Sequence, residues 1–326
     1  MSRRALLIGI NDYPDKNKLT SCVNDVKAMR SVLERHGNGS ENFQIEEMLN
    51  EHSSRTAMGQ IETLFSTDLD IALLYFSGHG YVNSTGSELV FPNDCNHDGY
   101  YKGLKMRSIM DIVNHSQAKN KIIILDCCHA GDIGRYSIDI DNSDLRPGVS
   151  LLSACRGEET AVGLSNISIF TAVLCMALQG AASDYTGNIT MGSLTAYVDK
   201  FFSASEQRPV FKTNTTEFVP IRTVMPRIST DVVREIANLF PVADKPYPLD
   251  PSFEQTNSEQ NIQKPIEPYA DPNHVEVMKK LQQLSSVGFV EPIDEDHMYY
   301  AAMHSKGCRL TEQGKYYWML VKKGQI

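Results

Sequence analysis

Short runs of consecutive apolar residues recur along the first two thirds of the chain, separated by amphipathic stretches long enough to be helices. The runs lie at 5–10 (Ala-Leu-Leu-Ile-Gly-Ile), 71–76 (Ile-Ala-Leu-Leu-Tyr-Phe), 121–125 (Lys-Ile-Ile-Ile-Leu) and 149–154 (Val-Ser-Leu-Leu-Ser-Ala). A strand with no polar face must be covered on both sides, which is the condition of a parallel sheet flanked by crossover helices. The intervening stretches fit that role. Residues 20–36 carry Val23, Val26, Met29, Val32 and Leu33 near helical spacing, and 54–65 read as a helix opened by an N-cap serine. Further helices are expected at 104–113, 169–179 and 191–202, and further strands at 43–49 and 217–221. The fold class predicted for residues 1–224 is therefore α/β, a three-layer sandwich around a mostly parallel sheet.

Proline divides the rest. Of 14 prolines, the seven at 241, 246, 248, 251, 265, 268 and 272 crowd into one segment. Residues 225–272 are accordingly expected to be a helix and an extended, proline-rich linker. Beyond it, 273–326 reads as helix, strand, strand (287–292 and 298–301) and a Leu310-Thr-Glu-Gln-Gly-Lys-Tyr-Tyr317 helix, a string that loosely resembles a winged-helix module. Residues 266–326 hold seven basic and eight acidic residues. That balance lacks the basic face of a nucleic-acid reader and favours a protein contact, such as binding of an activator or recruiter.

Composition narrows the setting. With 31 Lys+Arg against 40 Asp+Glu the net charge is −9, which argues against a partner held by bulk positive charge, whether nucleic acid or anionic membrane. No apolar run approaches the ~20 residues of a membrane span. The first run ends at Asn11-Asp12, too short for an export signal, and the seven cysteines form no CxxC pair. A reducing, cytoplasmic setting with free thiols is expected.

In an open parallel sheet, ligands bind at the carboxyl ends of the strands. Two of the apolar strands end there in reactive groups: 71–76 leads to Ser77-Gly78-His79-Gly80, and 121–125 leads to Asp126-Cys127-Cys128-His129-Ala130-Gly131. If those strands are neighbours, a thiol and an imidazole share one cleft. Flanking glycines make His79 a poor core position and a good exposed loop.

These two motifs, in this order, resemble the histidine and nucleophile loops of the caspase-like cysteine peptidases, most closely metacaspases and bacterial caspase homologues. The separation of 128 − 79 = 49 residues agrees with the caspase spacing. Flanking pieces are similar too: Leu6-Leu7-Ile8-Gly9-Ile10 with Tyr13, Cys22-Val-Asn24-Asp25, Leu151-Leu152-Ser153-Ala154, Phe170-Thr171 and Gln207-Arg208-Pro209. The resemblance implies a Cys-His dyad, with Cys128 as nucleophile and His79 as its acid/base partner. It also implies an oxyanion hole from the amides of Gly80 and Cys128. Cys127, adjacent to the nucleophile, reads as a buried spacer, and the other thiols as small packing residues.

Metacaspases accept Arg or Lys at the cleavage position through carboxylates. Cys22, Asp25, Ser77 and Asp126 match that pocket, so cleavage after Arg, and less well Lys, is expected; a guanidinium fork can bridge two carboxylates. The plainer alternative leaves Asp25 a helix surface charge and Asp126 a loop acceptor. Between nucleophile and next strand, Arg135 and Arg146 are candidate autocleavage sites, with Arg135 preferred because Pro147 follows Arg146. The run Asp94-Cys-Asn-His-Asp-Gly99 opens like a calcium loop, but Lys105 stands at its twelfth position, so calcium is disfavoured and no metal site is assigned. In bacteria such proteins resemble proteases of antiviral defence or programmed cell death, with a gasdermin-like protein among candidate substrates. A catalytically silent scaffold is the alternative, against which intact His79, Gly80 and Cys128 argue.

Overall fold

The computed structural model describes residues 1–14, 17–83, 86–94, 103–129, 145–154, 166–203, 209–215, 217–258 and 265–326. The chain divides into two units, Met1–Met225 and Pro226–Ile326.

In the first unit the strands are β1 (Arg3–Gly9), β2 (Gln44–Leu49), β3 (Ile71–Asn83), β4 (Gly86–Leu89), β5 (Leu104–Lys105), β6 (Asn120–His129), β7 (Val149–Ser153), β8 (Asn188–Thr190), β9 (Val210–Asn214) and β10 (Pro220–Thr223). The helices are α1 (Cys22–Leu33), α2 (Ser54–Ser66), α3 (Met106–His115), α4 (Ile169–Met176) and α5 (Met191–Phe201). The main sheet runs β2-β1-β3-β6-β7-β9; β1, β2, β3, β6 and β7 are parallel, and β9 closes one edge antiparallel to β7.

Period-two alternation sorts the strand side chains into two cores. Leu6, Ile8, Ala72, Leu74, Phe76, Ile123 and Leu125 pack with residues of α2 and α3, whereas Leu7, Leu73, Tyr75, Ile122 and Ile124 pack with residues of α1, α4 and α5. This is the expected three-layer sandwich. Each fully buried Leu or Ile contributes roughly 1.5–3 kcal/mol, and Ile71, Leu73, Leu74, Ile123 and Leu125 are all 0% exposed.

Several expectations need correction. The Ser77–Gly80 segment is not an exposed loop: β3 continues through it, because Gly80 pairs with Leu89 of the β4 hairpin on one side and His129 of β6 on the other. The strand expected at 217–221 is β10, which among the described residues pairs with β8 in a separate two-stranded ribbon; the main sheet's outer strand is β9. Its Val-Phe-Lys-Thr-Asn sequence is half polar, as an edge permits.

The second unit contains α6 (Thr230–Arg234), α7 (Ile236–Leu239), β11 (Tyr247–Pro248), α8 (Pro272–Ser286), β12 (Val290–Pro292), α9 (Met298–Met303), β13 (Gly307–Leu310) and α10 (Glu312–Lys322), with a β11-β13-β12 antiparallel sheet. Residues 226–258, expected within a 225–272 linker, belong to this unit. The prolines occupy regular positions: Pro248 sits on the edge strand, and Pro251 opens a 3-10 turn capped by Asp250. Trp318 Nε1 donates to the Phe240 carbonyl at 2.6 Å, tying this segment to α10. The strand expected at 298–301 is instead helix α9, whose buried Met298, Ala301 and Ala302 follow helical spacing. Consecutive strands of a wing are therefore not formed there.

Gly9 ends β1 where α1 crosses it: an added Cβ would lie 2.5 Å from the Cys22 carbonyl oxygen and 2.7 Å from Val26 Cγ2. Gly9→Ala should cost about 1–3 kcal/mol in urea unfolding, whereas Gly59→Ala, with open space around it in α2, should gain about 0.5–1 kcal/mol.

Candidate active site

Two rows of register partners at the carboxyl ends of the parallel strands define the site. In the first, Ser77 of β3 lies between Gly9 of β1 and Asp126 of β6; two residues further along, His79 pairs with Cys128. The pairing of β3 with β6 runs unbroken from Ile71 and Asn120 to Gly80 and His129, so these juxtapositions are set by the register of the two central strands.

The first row forms a buried acidic cluster with α1. Asp25 is 0% and Asp126 3% exposed. Asp25 is therefore no surface charge. Its Oδ2 accepts the Ser77 hydroxyl at 2.8 Å and its Oδ1 the Ser168 backbone N–H at 2.7 Å. Asp126 Oδ2 accepts the Ser168 hydroxyl and, at 2.7 Å, the Thr171 hydroxyl. With the Thr171 proton committed to the carboxylate, Tyr75 must donate in the 2.5 Å contact between its hydroxyl and Thr171 Oγ1. Burial, and then the charges of Asp126 and Asp25, raise the Tyr75 pKa well above its ordinary value, so it stays a donor. Burial likewise pushes the Cys22 thiol up to about 12, against a hydrogen bond with Ser77. Cys22 is thus a neutral wall of the cluster and no nucleophile. Cys175 is raised to about 12 for the same reason, and Cys127 is buried.

His79 is held from the β1–α1 loop. A carbonyl can only accept, so the 2.7 Å contact to the Asn17 oxygen puts the proton on Nε2 and leaves Nδ1 as the ring's acceptor, the form a general base requires. The ring lies 4.4 Å, centroid to centroid, from that of Tyr13. The Tyr13 hydroxyl accepts the His79 N–H at 2.9 Å and donates to the Val90 carbonyl at 3.0 Å. A Cβ on Gly78 would stand 2.5 Å from that hydroxyl, which explains a glycine before the histidine. Burial lowers the His79 pKa, with the Asn17 carbonyl opposing.

The structure thus brings Cys22, Asp25, Ser77 and Asp126 together, and places His79 and Gly80 opposite Cys128 and His129 of β6. Arg135 lies outside the described residues. Arg146 is exposed in a closed turn, its N–H donating to Asn114 Oδ1 at 3.1 Å and its carbonyl accepting the Val149 N–H at 3.3 Å. Of the calcium-like run only Asp94 is described, and its Oδ1 accepts the Ser54 hydroxyl at 3.1 Å. No group of three or more His, Cys, Asp or Glu able to hold a metal occurs among the described residues.

Sequence reasoning missed Ser168, Asn17 and Tyr75. The first had a local signal: Ser168-Ile-Phe-Thr171 is an N-cap pattern, and Ser168 Oγ accepts the Thr171 N–H at 3.0 Å. The second unit holds another Asp, Ser and His within reach, Asp250, Ser252 and His274, at 2.5 and 2.6 Å from the serine oxygen. There the serine sits between acid and imidazole, so no relay through the histidine exists and the trio clips a turn to α8.

Residues 2–219 match the family model described as Caspase domain. Among curated proteins, metacaspase-6 of Arabidopsis thaliana is 33% identical over 152 residues, 41% of this chain and 39% of that protein. Metacaspase-1A of Aspergillus oryzae is 30% identical over 147 residues, 40% of this chain and 35% of that protein. The chain thus spans about two fifths of the length of the curated relatives it matches. Among solved structures, protein GSU0716 from Geobacter sulfurreducens aligns with a TM-score of 0.49 at 18% identity, covering 69% of this chain and 100% of that one. The Drosophila initiator caspase Dronc aligns with a TM-score of 0.49 at 14% identity, covering 68% and 83%.

The His79 imidazole should titrate below the ordinary ~6.5 in an NMR titration. Since its folded pKa is depressed, its contribution to stability is present above the unfolded value and is lost as pH falls from ~6.5 toward the folded one. Urea unfolding of wild type beside His79→Gln at about pH 5 and about pH 7.5 should show that difference.

Proposed function

The chain belongs to the caspase family, and from that premise we propose that it is a cysteine endopeptidase cutting protein substrates after Arg, and less well after Lys. The observation that carries the reading is the register pair His79 and Cys128, set two residues beyond the buried carboxylate of Asp126 on adjacent parallel strands. In this reading Cys128 attacks the scissile carbonyl after His79 Nδ1 takes its proton, and the imidazolium then protonates the leaving amine. Water hydrolyses the thioester by the same route in reverse. The amides of Gly80 and Cys128 stabilise the oxyanion. The substrate's cationic side chain enters between Asp25 and Asp126, lined by Cys22 and Ser77. A guanidinium can donate charge-assisted hydrogen bonds to both carboxylates, and its charge relieves the repulsion between them.

The wider assignment is part of the same proposal. The enzyme works in the cytoplasm without calcium, in a defence or regulated-death pathway with a gasdermin-like protein among candidate substrates, and the second unit binds an activator or recruiter instead of nucleic acid. No helix among the described residues is long and apolar enough to cross a membrane. If the enzyme matures itself, Arg135-Tyr136 is the favoured bond over Arg146-Pro147.

A substrate-profiling digest tests the core of this. Wild type should cleave after Arg; Cys128→Ala should lose at least about 1000-fold in kcat/KM; Asp126→Ala should lose the preference for basic residues while retaining turnover. Better turnover of Asp or Leu reporters than of Arg reporters by wild type would overturn the specificity. A chelator should leave the rate unchanged. Mass spectrometry of purified wild type beside Cys128→Ala should show a cut after Arg135 in the former alone.

A further inference from the structure

We propose that Ser168 is the positioning residue that fixes Asp25 and Asp126 at the spacing a guanidinium spans, and that it thereby sets the preference for Arg over Lys. The inference rests on the reading of those two carboxylates as the substrate pocket. It starts from a division of labour within one residue. Ser168, itself 3% exposed, sends its backbone N–H to Asp25 on α1 and its hydroxyl to Asp126 on β6. A single residue from a third element, the N-cap of α4, therefore touches both acids.

The hydroxyl's direction is determined. Its oxygen already accepts the Thr171 N–H as the helix cap, so its own proton is directed to the carboxylate. Thr171, one turn on, delivers a second hydroxyl to the same Asp126 oxygen and is held in turn by Tyr75. Both donors come from the start of α4, while Ser77 of β3 fixes the other oxygen of Asp25. Of these groups Ser77 lines the proposed pocket, whereas Ser168, Thr171 and Tyr75 hold the carboxylates from the α4 side.

Arg and Lys make different demands on such alignment. A guanidinium is a planar fork whose hydrogen bonds need two acceptors at a set separation and tilt; an ammonium is a compact charge that tolerates either being displaced. Loosening the carboxylates should therefore cost Arg substrates more than Lys substrates, and the cost should fall on binding, because Ser168 does not contact the reacting atoms.

The test uses the full chain and matched fluorogenic peptides ending in Arg or Lys. Ser168→Ala should lower the Arg-to-Lys ratio of kcat/KM by roughly fivefold or more, mainly through KM for Arg, and Ser168→Thr, which keeps the hydroxyl, should restore it. The double variant Thr171→Val, Tyr75→Phe leaves Ser168 in place, strands no buried hydroxyl, and should lower the ratio by a smaller factor; if Ser168→Ala does not fold, Ser168→Cys, which keeps the backbone N–H and nearly the volume but donates weakly, decides the matter by the same ratio. If wild type prefers Arg but the variants depress Arg and Lys turnover equally, or act on kcat alone, the role of Ser168 is overturned while the pocket stands. If wild type does not prefer basic residues, the pocket reading fails and takes this inference with it.

Discussion

Two carboxylates buried within one hydrogen-bonded cluster, Asp25 and Asp126, are the constraint around which the first unit is arranged. Removing an ion from water carries an effective penalty of several kcal/mol even in a relaxed protein, and here two of like sign are removed together. The chain answers with donors from several directions: Ser77 from β3, the backbone and hydroxyl of Ser168, and Thr171 backed by Tyr75. Each donor must be delivered by an element whose own position is fixed, and the apolar packing of β3 and β6 on either face fixes them. The hydrophobic pattern and the polar network are thus parts of one requirement: rigid strands let a costly site keep its shape.

Much of this architecture was legible in the sequence because it rests on local periodicity. The runs at 71–76 and 121–125 announce buried strands, and their adjacency brings His79 opposite Cys128. The strand character of Ser77–Gly80 was not legible, since Gly-His-Gly carries no alternating pattern; pairing on both sides imposes it. The edge strand β9 escaped for a related reason, its half-polar face being what an edge allows. Asp25 is singled out only through the resemblance, with a helix surface charge as the plainer alternative; its full burial is not legible from periodicity, because which face of α1 meets the strand ends is a tertiary fact. Ser168 announced itself as a helix cap, but its link to two acids over 40 and 140 residues away in sequence is invisible without the fold. In the second unit, prolines that look like linker punctuation turn out to mark an edge strand and a turn start.

The cluster also shows how the same residue type is put to different uses by burial. Cys22 and Cys175, walled in by apolar atoms and acids, are held as neutral thiols with pKa values near 12. His79 is shifted in the opposite sense, toward the neutral imidazole, by the same loss of water. Desolvation is the largest cause in each case, and by disfavouring charge it acts in opposite directions on the two titrations: it keeps the thiols protonated and the imidazole unprotonated.

The short stretch between β1 and α1 carries more than its length suggests. The Asn17 carbonyl accepts from the His79 imidazole and the Tyr13 hydroxyl from the His79 backbone N–H, and the helix that follows begins with Cys22 and carries Asp25 to Ser77. On the proposed function, recognition at Asp25 and proton transfer at His79 are borne by one continuous piece of chain. A shift of α1 that moves the carboxylate pulls on the same connection that holds the imidazole, so the two groups share a mechanical anchor.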